Sequence, residues 1–321
     1  MRILVVDDDD MIRQLLEIGL QLGGHSVESA DSGQQALIEI EASAKPFDCF
    51  LVDIQMPKMT GIELCAHIRT RQLYFETPIV MLTAMSEKRY IDAAFASGAT
   101  DYINKPFEIE DLKTRILLAE KQITKSRELP AASQSLNLLS EQMTEDSPYQ
   151  IEDAIPIVDV DYTMSPQTLV NYLRQLGRWN QAHSRIFAIK VVNVSAIFSN
   201  SSGLEFGDVI ADVAEVIANC LCEISGLLCY LGNGIYCCVI DSKHKEALCD
   251  LNCKLENEVY TMGLIYRNGR PVDLEFRVGE SVTPNPFSKA DSIEVVQEAI
   301  HKLIANDQRE SIKRLALGKT A

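Results

Sequence analysis

From Met1 to about Lys121 the chain alternates five short apolar runs with five stretches of helical periodicity, and few folds accommodate that pattern. The runs are Ile3–Val6, a weaker one at Ser26–Glu28, Phe50–Val52, Ile79–Leu82 and Asp101–Ile103. Between them Met11–Leu22, Gly33–Ile40, Gly61–Arg69, Glu87–Ala96 and Ile109–Leu118 carry apolar residues at helical spacing. Short, continuously apolar strands are buried on both faces, which implies a parallel sheet covered by helices on each side. Right-handed crossovers then favour a doubly wound α/β fold with a five-stranded parallel sheet.

That unit accounts for under half of the 321 residues, and a chain of this length suggests two domains. Residues 1–122 form the first, residues 123–155 read as a helical and polar linker, and residues 156–316 form the second. In the linker, Pro130 and Pro148 flank one short apolar patch, Leu136–Met143. The last helix of the first domain is expected to run through Ile123 before Pro130 stops it. Order resumes with strand-like Phe187–Val194, Leu227–Leu231, Tyr236–Ile240 and Leu274–Val278, and with helical Pro166–Leu176, Val209–Cys222, Lys245–Glu258 and Ile293–Ile304. The Asn-Gly pair in Tyr266–Arg270 predicts a hairpin between flanking strands. The second domain is therefore expected to be α/β with a mixed, partly antiparallel sheet.

In an open parallel sheet, sites form outside the carboxyl ends of the strands, where strand order reverses. Asp7–Asp10 follow the first run, Asp53 ends the third, Thr83 the fourth, and Lys105 follows the fifth. Taken singly, these would be a solvated acidic turn, a helix cap and a surface charge. The fold gathers Asp7, Asp8, Asp53, Thr83 and Lys105 into one pocket. Clustered carboxylates repel one another unless a cation intervenes, and a set of oxygen ligands with room for water suits Mg²⁺. In such a pocket Asp53 can act as nucleophile toward a phosphoryl group, with Lys105 offsetting charge on the transferring oxygens and Thr83 hydrogen-bonding one of them.

The stretches VVDDDD, LVDIQMPKMTGIEL, MLTA and YINKPF, with spacings of 30 residues from Asp53 to Thr83 and 52 to Lys105, resemble the receiver domain of two-component response regulators. The resemblance implies a flavodoxin-like fold, with Asp53 as phosphoacceptor and Mg²⁺ held by Asp8, Asp53, the backbone carbonyl of Gln55 and, through water, Asp7. It implies a switch pair, Thr83 and Tyr102, whose hydroxyl moves toward the phosphoryl group while the ring turns inward. It also implies a cis peptide at Lys105–Pro106. Met85, two residues after Thr83, cannot orient an attacking water, so slow self-dephosphorylation is expected.

The second half resembles a GGDEF diguanylate cyclase domain, through FAIKVVNVSAIF, a helix start at Gly207-Asp208 and a hairpin at Gly232, Asn233, Gly234, Ile235 and Tyr236. An Asp-x-Leu-Thr entry is echoed by Asp161–Met164. The expected carboxylates are missing. Asn193 and Ser195 stand at the strand acids, Gly234 and Ile235 at the hairpin acids, and Glu223 and Gly226 at the inhibitory-site Arg and Asp. Cyclisation of GTP needs metal held by those acids, so a degenerate, inactive domain serving protein contact is expected. An atypical cyclase and a GTP- or cyclic-dinucleotide-binding receptor are the alternatives.

With 30 Lys and Arg against 46 Asp and Glu, a net charge of −16 argues against gripping a phosphate backbone, hence against DNA binding. No apolar run approaches a membrane span and the start is not a signal peptide, so the chain reads as cytoplasmic. The nine cysteines (Cys49, Cys65, Cys220, Cys222, Cys229, Cys237, Cys238, Cys249, Cys253) lack paired CxxC motifs and read as reduced core thiols, with no metal at Cys249 and Cys253. The expected partners are a sensor histidine kinase or phosphotransfer protein, then a second copy of the chain or a downstream protein.

Overall fold

The computed structural model describes residues 1–84, 88–121, 123–124, 149–157, 160–176, 182–201, 203–284 and 292–317. Met85, Pro130, Pro148 and the Leu136–Met143 patch lie outside the described residues. The chain divides into two compact units, Met1–Thr144 and Glu145–Ala321.

In the first unit β1 (Arg2–Val6), β2 (Ser26–Ala30), β3 (Cys49–Asp53), β4 (Ile79–Thr83) and β5 (Asp101–Asn104) form a parallel sheet in the order β2-β1-β3-β4-β5. The inner strands β3 and β4 are buried along their whole length, which is why they read as unbroken apolar runs. Edge strand β2 leaves Ser26 and Ser29 exposed, and its sequence signal is correspondingly weak. Helices α1 (Asp10–Leu22), α2 (Gly33–Ala42), α3 (Gly61–Arg69), α4 (Lys88–Ala96) and α5 (109–121) fill the crossovers, and residues 123–124 are also helical. On one face Leu16 and Leu20 of α1 pack with Leu112, Ile116 and Ala119 of α5 over Ile3, Val5, Leu51, Val80 and Leu82.

Local chemistry fixes the helix starts beside the strand ends. The Asp9 carboxylate accepts from the N–H groups of Met11 and Ile12 and caps α1. Thr60 and Glu63 form a reciprocal capping box on α3. Gly61 is required where it stands, because a Cβ there would strike the Asp53 carbonyl.

The second unit has β6 (Ser184–Val191), β7 (Leu227–Tyr230), β8 (Ile235–Asp241) and β9 (Phe276–Val278) in the order β7-β8-β6-β9. Every named pair is antiparallel, and among the described residues parallel pairing is confined to an isolated bridge between Thr163 and Leu228, so the sheet is less mixed than expected. Its helices are α6 (Pro166–Gln175), α7 (Val194–Asn200), α8 (Gly203–Leu221), α9 (Leu251–Met262) and α10 (Ser292–Leu317). Phe187, Ile189 and Val191 of β6 meet Val209, Ile210, Val213 and Ile217 of α8 in the core.

Several expectations are corrected here. Helix α8 begins at Gly203, so Gly207-Asp208 lies inside it, hidden from the periodicity by two weak helix formers, Gly203 and Gly207. The Tyr266–Gly269 turn closes through Gly269 N–H to Tyr266 O with Gly269 alone left-handed, and the flanks meet only in one bridge, Ile265 to Pro271. The segment expected as linker up to Ile155 gives Tyr149, Ile151 and Ile155 to the core of this unit. Cys222, Cys249 and Cys253 are exposed, and all nine cysteines are free thiols. No helix among the described residues is long and apolar enough to cross a membrane.

Candidate functional site

The order of the first sheet reverses between β1 and β3, and the crevice outside their carboxyl ends holds the acids. Asp7 follows β1 and is fully buried; Asp53 closes β3 and is 4% exposed. Asp8 sits at the solvent edge, and a carboxylate oxygen from each of Asp7, Asp8 and Asp53 lies within 4.8 Å of the others. Lys105 reaches in from the end of β5. Its Nζ lies 2.6 Å from Asp7 Oδ2 and 2.7 Å from Asp53 Oδ1. The Lys105–Pro106 peptide is cis, and the Lys105 N–H donates to the Thr83 carbonyl, joining the ends of β4 and β5. Thr83 is fully buried at the end of β4. Gln55 is exposed two residues past Asp53, and Ile54 N–H donates to Leu82 O.

The electrostatics follow from this packing. Burial pushes the Asp53 carboxyl above its ordinary range; Lys105 pulls it back, and Asp7 and Asp8 push it up again. Burial alone would lower the Lys105 ammonium, but its bonds to Asp53 and Asp7 outweigh that and hold it above the ordinary lysine value. Three carboxylates against one ammonium leave the pocket net negative. The donor set is oxygen only, with the three carboxylate oxygens within 4.8 Å of one another, and such a set would hold a hard divalent cation such as Mg²⁺.

Tyr102 on β5 is buried, with its ring edge-on to Phe95 at 6.2 Å. Burial raises its hydroxyl to about 12, against a hydrogen bond with the Asn104 side chain that lowers it. Behind it the buried Asp101 carboxylate accepts from Arg115 Nη1 at 2.9 Å and from the Tyr102 N–H at 2.8 Å. Sequence reasoning missed this Asp101–Arg115 pair; the charge at an otherwise apolar strand start was the signal. It also gave no role to Asp9, which caps α1.

Residues 3–117 match the family described as the response regulator receiver domain. The first unit is a receiver domain. Among curated relatives, the alkaline phosphatase synthesis transcriptional regulatory protein PhoP of Bacillus subtilis is 37% identical over 42% of this chain and 53% of its own length. The response regulator MprA of Mycobacterium avium is 40% identical over 36% of this chain and 49% of its own. The chain thus spans about half the length of the curated relatives it matches. The solved chemotaxis protein CheY4 of Vibrio cholerae is 36% identical over 37% of this chain and 97% of its own, with a TM-score of 0.35. In the receiver domain, all of the expected positions except Met85 fall among the described residues. Asp7, Asp8, Asp53 and Lys105 converge in one crevice, with Thr83 ending the neighbouring β4 and Tyr102 packed against Phe95.

The second unit's candidate positions do not assemble in that way. The Asn193 amide donates to Asp273 O at 2.9 Å and accepts from the Glu275 N–H at 3.2 Å, bracing the chain ahead of β9. Ser195 is exposed on α7, and Glu223 lies in a short 3-10 turn whose apolar neighbours crowd Gly226. Gly232, Asn233 and Gly234 make a left-handed turn leading into β8 at Ile235. Tyr236 is buried and donates its hydroxyl proton to Ile210 O. Asp208 pairs with Arg267 at 2.6 Å. Among the described residues, the cluster of metal-ligating side chains is Asp7, Asp8 and Asp53.

Proposed function

We propose that the chain is a phosphorylation-switched response regulator whose phosphoacceptor is Asp53. The observation that carries this is the Lys105 ammonium seated between the buried Asp7 and Asp53 carboxylates. A phosphohistidine on a sensor kinase or phosphotransfer protein would be the donor. An Asp53 oxygen attacks phosphorus, the O–P bond forms as the N–P bond breaks, and the electron pair leaves with the donor imidazole. Mg²⁺ held by Asp8, Asp53, the Gln55 carbonyl and, through water, Asp7 would supply charge neutralisation on the phosphoryl oxygens. Lys105 moves toward the phosphoryl oxygens as Asp53 gives up its negative charge, and the Thr83 hydroxyl donates to one of them. Tyr102, already packed on Phe95, supports the inward arrangement of the switch pair.

For the second unit, the β6-α7-α8-β7-β8-α9-β9 element order and the β7-β8-β6-β9 arrangement support a GGDEF-like domain. The loss of acids at Asn193, Ser195, Gly234 and Ile235, with the Asn193 amide committed to backbone groups, supports a domain without cyclase activity. Output then runs through dimerisation or contact with a downstream protein, and the acidity of the chain speaks against DNA.

Incubation with phosphoramidate and Mg²⁺, read by intact mass, tests the central claim. The wild type gains one phosphoryl group and Asp53→Asn gains none. Equal labelling of the two would overturn it.

A further inference from the structure

Arg13 on α1 reaches back over the turn that leaves β1. Its Nη1 donates to the Asp7 carbonyl at 2.7 Å, and its Nη2 lies 2.9 Å from Asp10 Oδ1. The Arg13 side chain is 15% exposed and that of Asp10 is 69% exposed. An ion pair with so exposed an acid contributes little, so the charge-assisted bond to the Asp7 carbonyl sets where the guanidinium lies. Helix stability does not explain the residue either. Arg13 is the fourth residue of α1, close to the N-terminal end, where the helix dipole disfavours a cation.

The Asp7 carbonyl matters because of what shares its plane. The peptide group joining Asp7 to Asp8 is rigid, and its orientation sets the point from which the Asp8 side chain departs. Asp8 stands exposed at the rim, yet one of its carboxylate oxygens keeps within 4.8 Å of those of Asp7 and Asp53. The Asp7 carboxylate is fixed separately. Its Oδ2 meets Lys105 Nζ, and its Oδ1 accepts from the Asp9 N–H at 3.0 Å. Asp9 in turn caps α1. Arg13 adds the tie that these bonds leave out, from α1 to the peptide plane between the two acids.

We propose that Arg13 is a positioning residue of the cation site. By holding the Asp7 carbonyl it fixes the peptide between Asp7 and Asp8, and with it the angle at which their carboxylates present oxygen to a divalent cation. This rests on the reading of the crevice as a Mg²⁺ site given above. A purely electrostatic role predicts the opposite sign. A guanidinium beside the acids repels an incoming cation, so removing its charge alone would tighten binding. Removing a positioning contact weakens binding, and weakens it most for the ion with the stricter geometry. Mg²⁺ demands near-ideal octahedral coordination, whereas Ca²⁺ accepts irregular sets of oxygens.

Calorimetric titration of the full chain with Mg²⁺ and, separately, with Ca²⁺ tests the proposal. Arg13→Gln is expected to raise the Mg²⁺ dissociation constant roughly tenfold, the low end for losing a contact that orients a ligand, and the Ca²⁺ constant about threefold or less. A Mg²⁺ constant that stays the same or falls, or equal losses for the two ions, overturns it. Arg13→Lys keeps the charge without the planar fork that spans Asp7 O and Asp10 Oδ1. It is expected to weaken Mg²⁺ by a smaller factor, still more than Ca²⁺. If Arg13→Gln fails to fold, Arg13→Lys decides, and wild-type constants for both ions overturn the proposal. If the wild type itself shows no saturable Mg²⁺ binding, the reading of the crevice fails and the role of Arg13 with it. If the wild type binds and the variants do not follow, the role of Arg13 alone fails.

Discussion

Lys105 Nζ stands 2.6 Å from Oδ2 of Asp7, a fully buried carboxylate 98 residues earlier in the chain. The pair is held by the ends of β1 and β5, strands on opposite sides of β3 and β4, and Asp53 shares the same ammonium from between them. The crevice thus sets three acids against one base.

Lys105→Met removes the charge that offsets the transferring phosphoryl oxygens. The rate of Asp53 labelling by phosphoramidate is expected to fall by about 10²-fold, the magnitude of losing one preorganised electrostatic group. Lys105→Arg should recover less than half of the loss in logarithmic terms, because a planar fork replaces a compact point charge. Stopped-flow or quenched labelling checks both.

His25 gives a pH signature independent of the crevice. It is mostly buried, and burial, then the N-terminal ammonium, lower its pKa, against an upward pull from Glu120 at 3.7 Å. A histidine with a depressed folded pKa binds its proton more readily when unfolded, so stability is complete above the ordinary value of 6.5 and drops as pH falls below it. His25→Gln should flatten that decline. Urea midpoints at about pH 7.5 and about pH 5.5 measure it, on either side of the ordinary histidine range.

Asn193→Asp restores a carboxylate at a strand-acid position of the cyclase family. It also loses the donor to Asp273 O and sets an anionic oxygen against that carbonyl. The expected result is a loss of about 0.5–1.5 kcal/mol in stability, the net worth of one partly solvated hydrogen bond, with no GTP turnover. Thermal denaturation and a phosphate-release assay decide the two halves of this statement.

Thiol labelling should sort the cysteines by burial. Cys222, Cys249 and Cys253 are exposed and should react first with a maleimide at neutral pH. Burial pushes Cys49 and Cys237 up to about 12, and Cys220, half-buried, to about 11. Peptide mapping of the native protein should find Cys49 and Cys237 unmodified and Cys220 slow.

The receiver's strands and helices were legible because β3 and β4 are apolar on both faces and because Asp53, Thr83 and Lys105 fall at strand ends. Strand β2 was faint for the complementary reason, an edge that shows Ser26 and Ser29 to solvent. Within the acid run Asp7 and Asp8 face the crevice, and the role of Asp9 as the cap of α1 is visible only in the helix geometry. In the second unit the pattern located the strands but not their partners, since register depends on contacts between distant segments. Tyr149–Ile155 looked like linker because its polar residues make backbone turns and its apolar ones are too few to show a period.

Strand order also has a consequence for synthesis. Residues 7, 53, 83 and 105 come from the ends of four strands, and Lys105 is the last of them to leave the ribosome. A nascent chain that has delivered β1 through β4 already holds Asp7, Asp8 and Asp53 with no ammonium between them. Their mutual repulsion therefore opposes early closure of the crevice, and the arrival of the β5 segment both completes the sheet and neutralises it. A fragment ending before Lys105 lacks the ammonium that bridges Asp7 and Asp53, so the crevice is complete only once about the first third of the chain has been made.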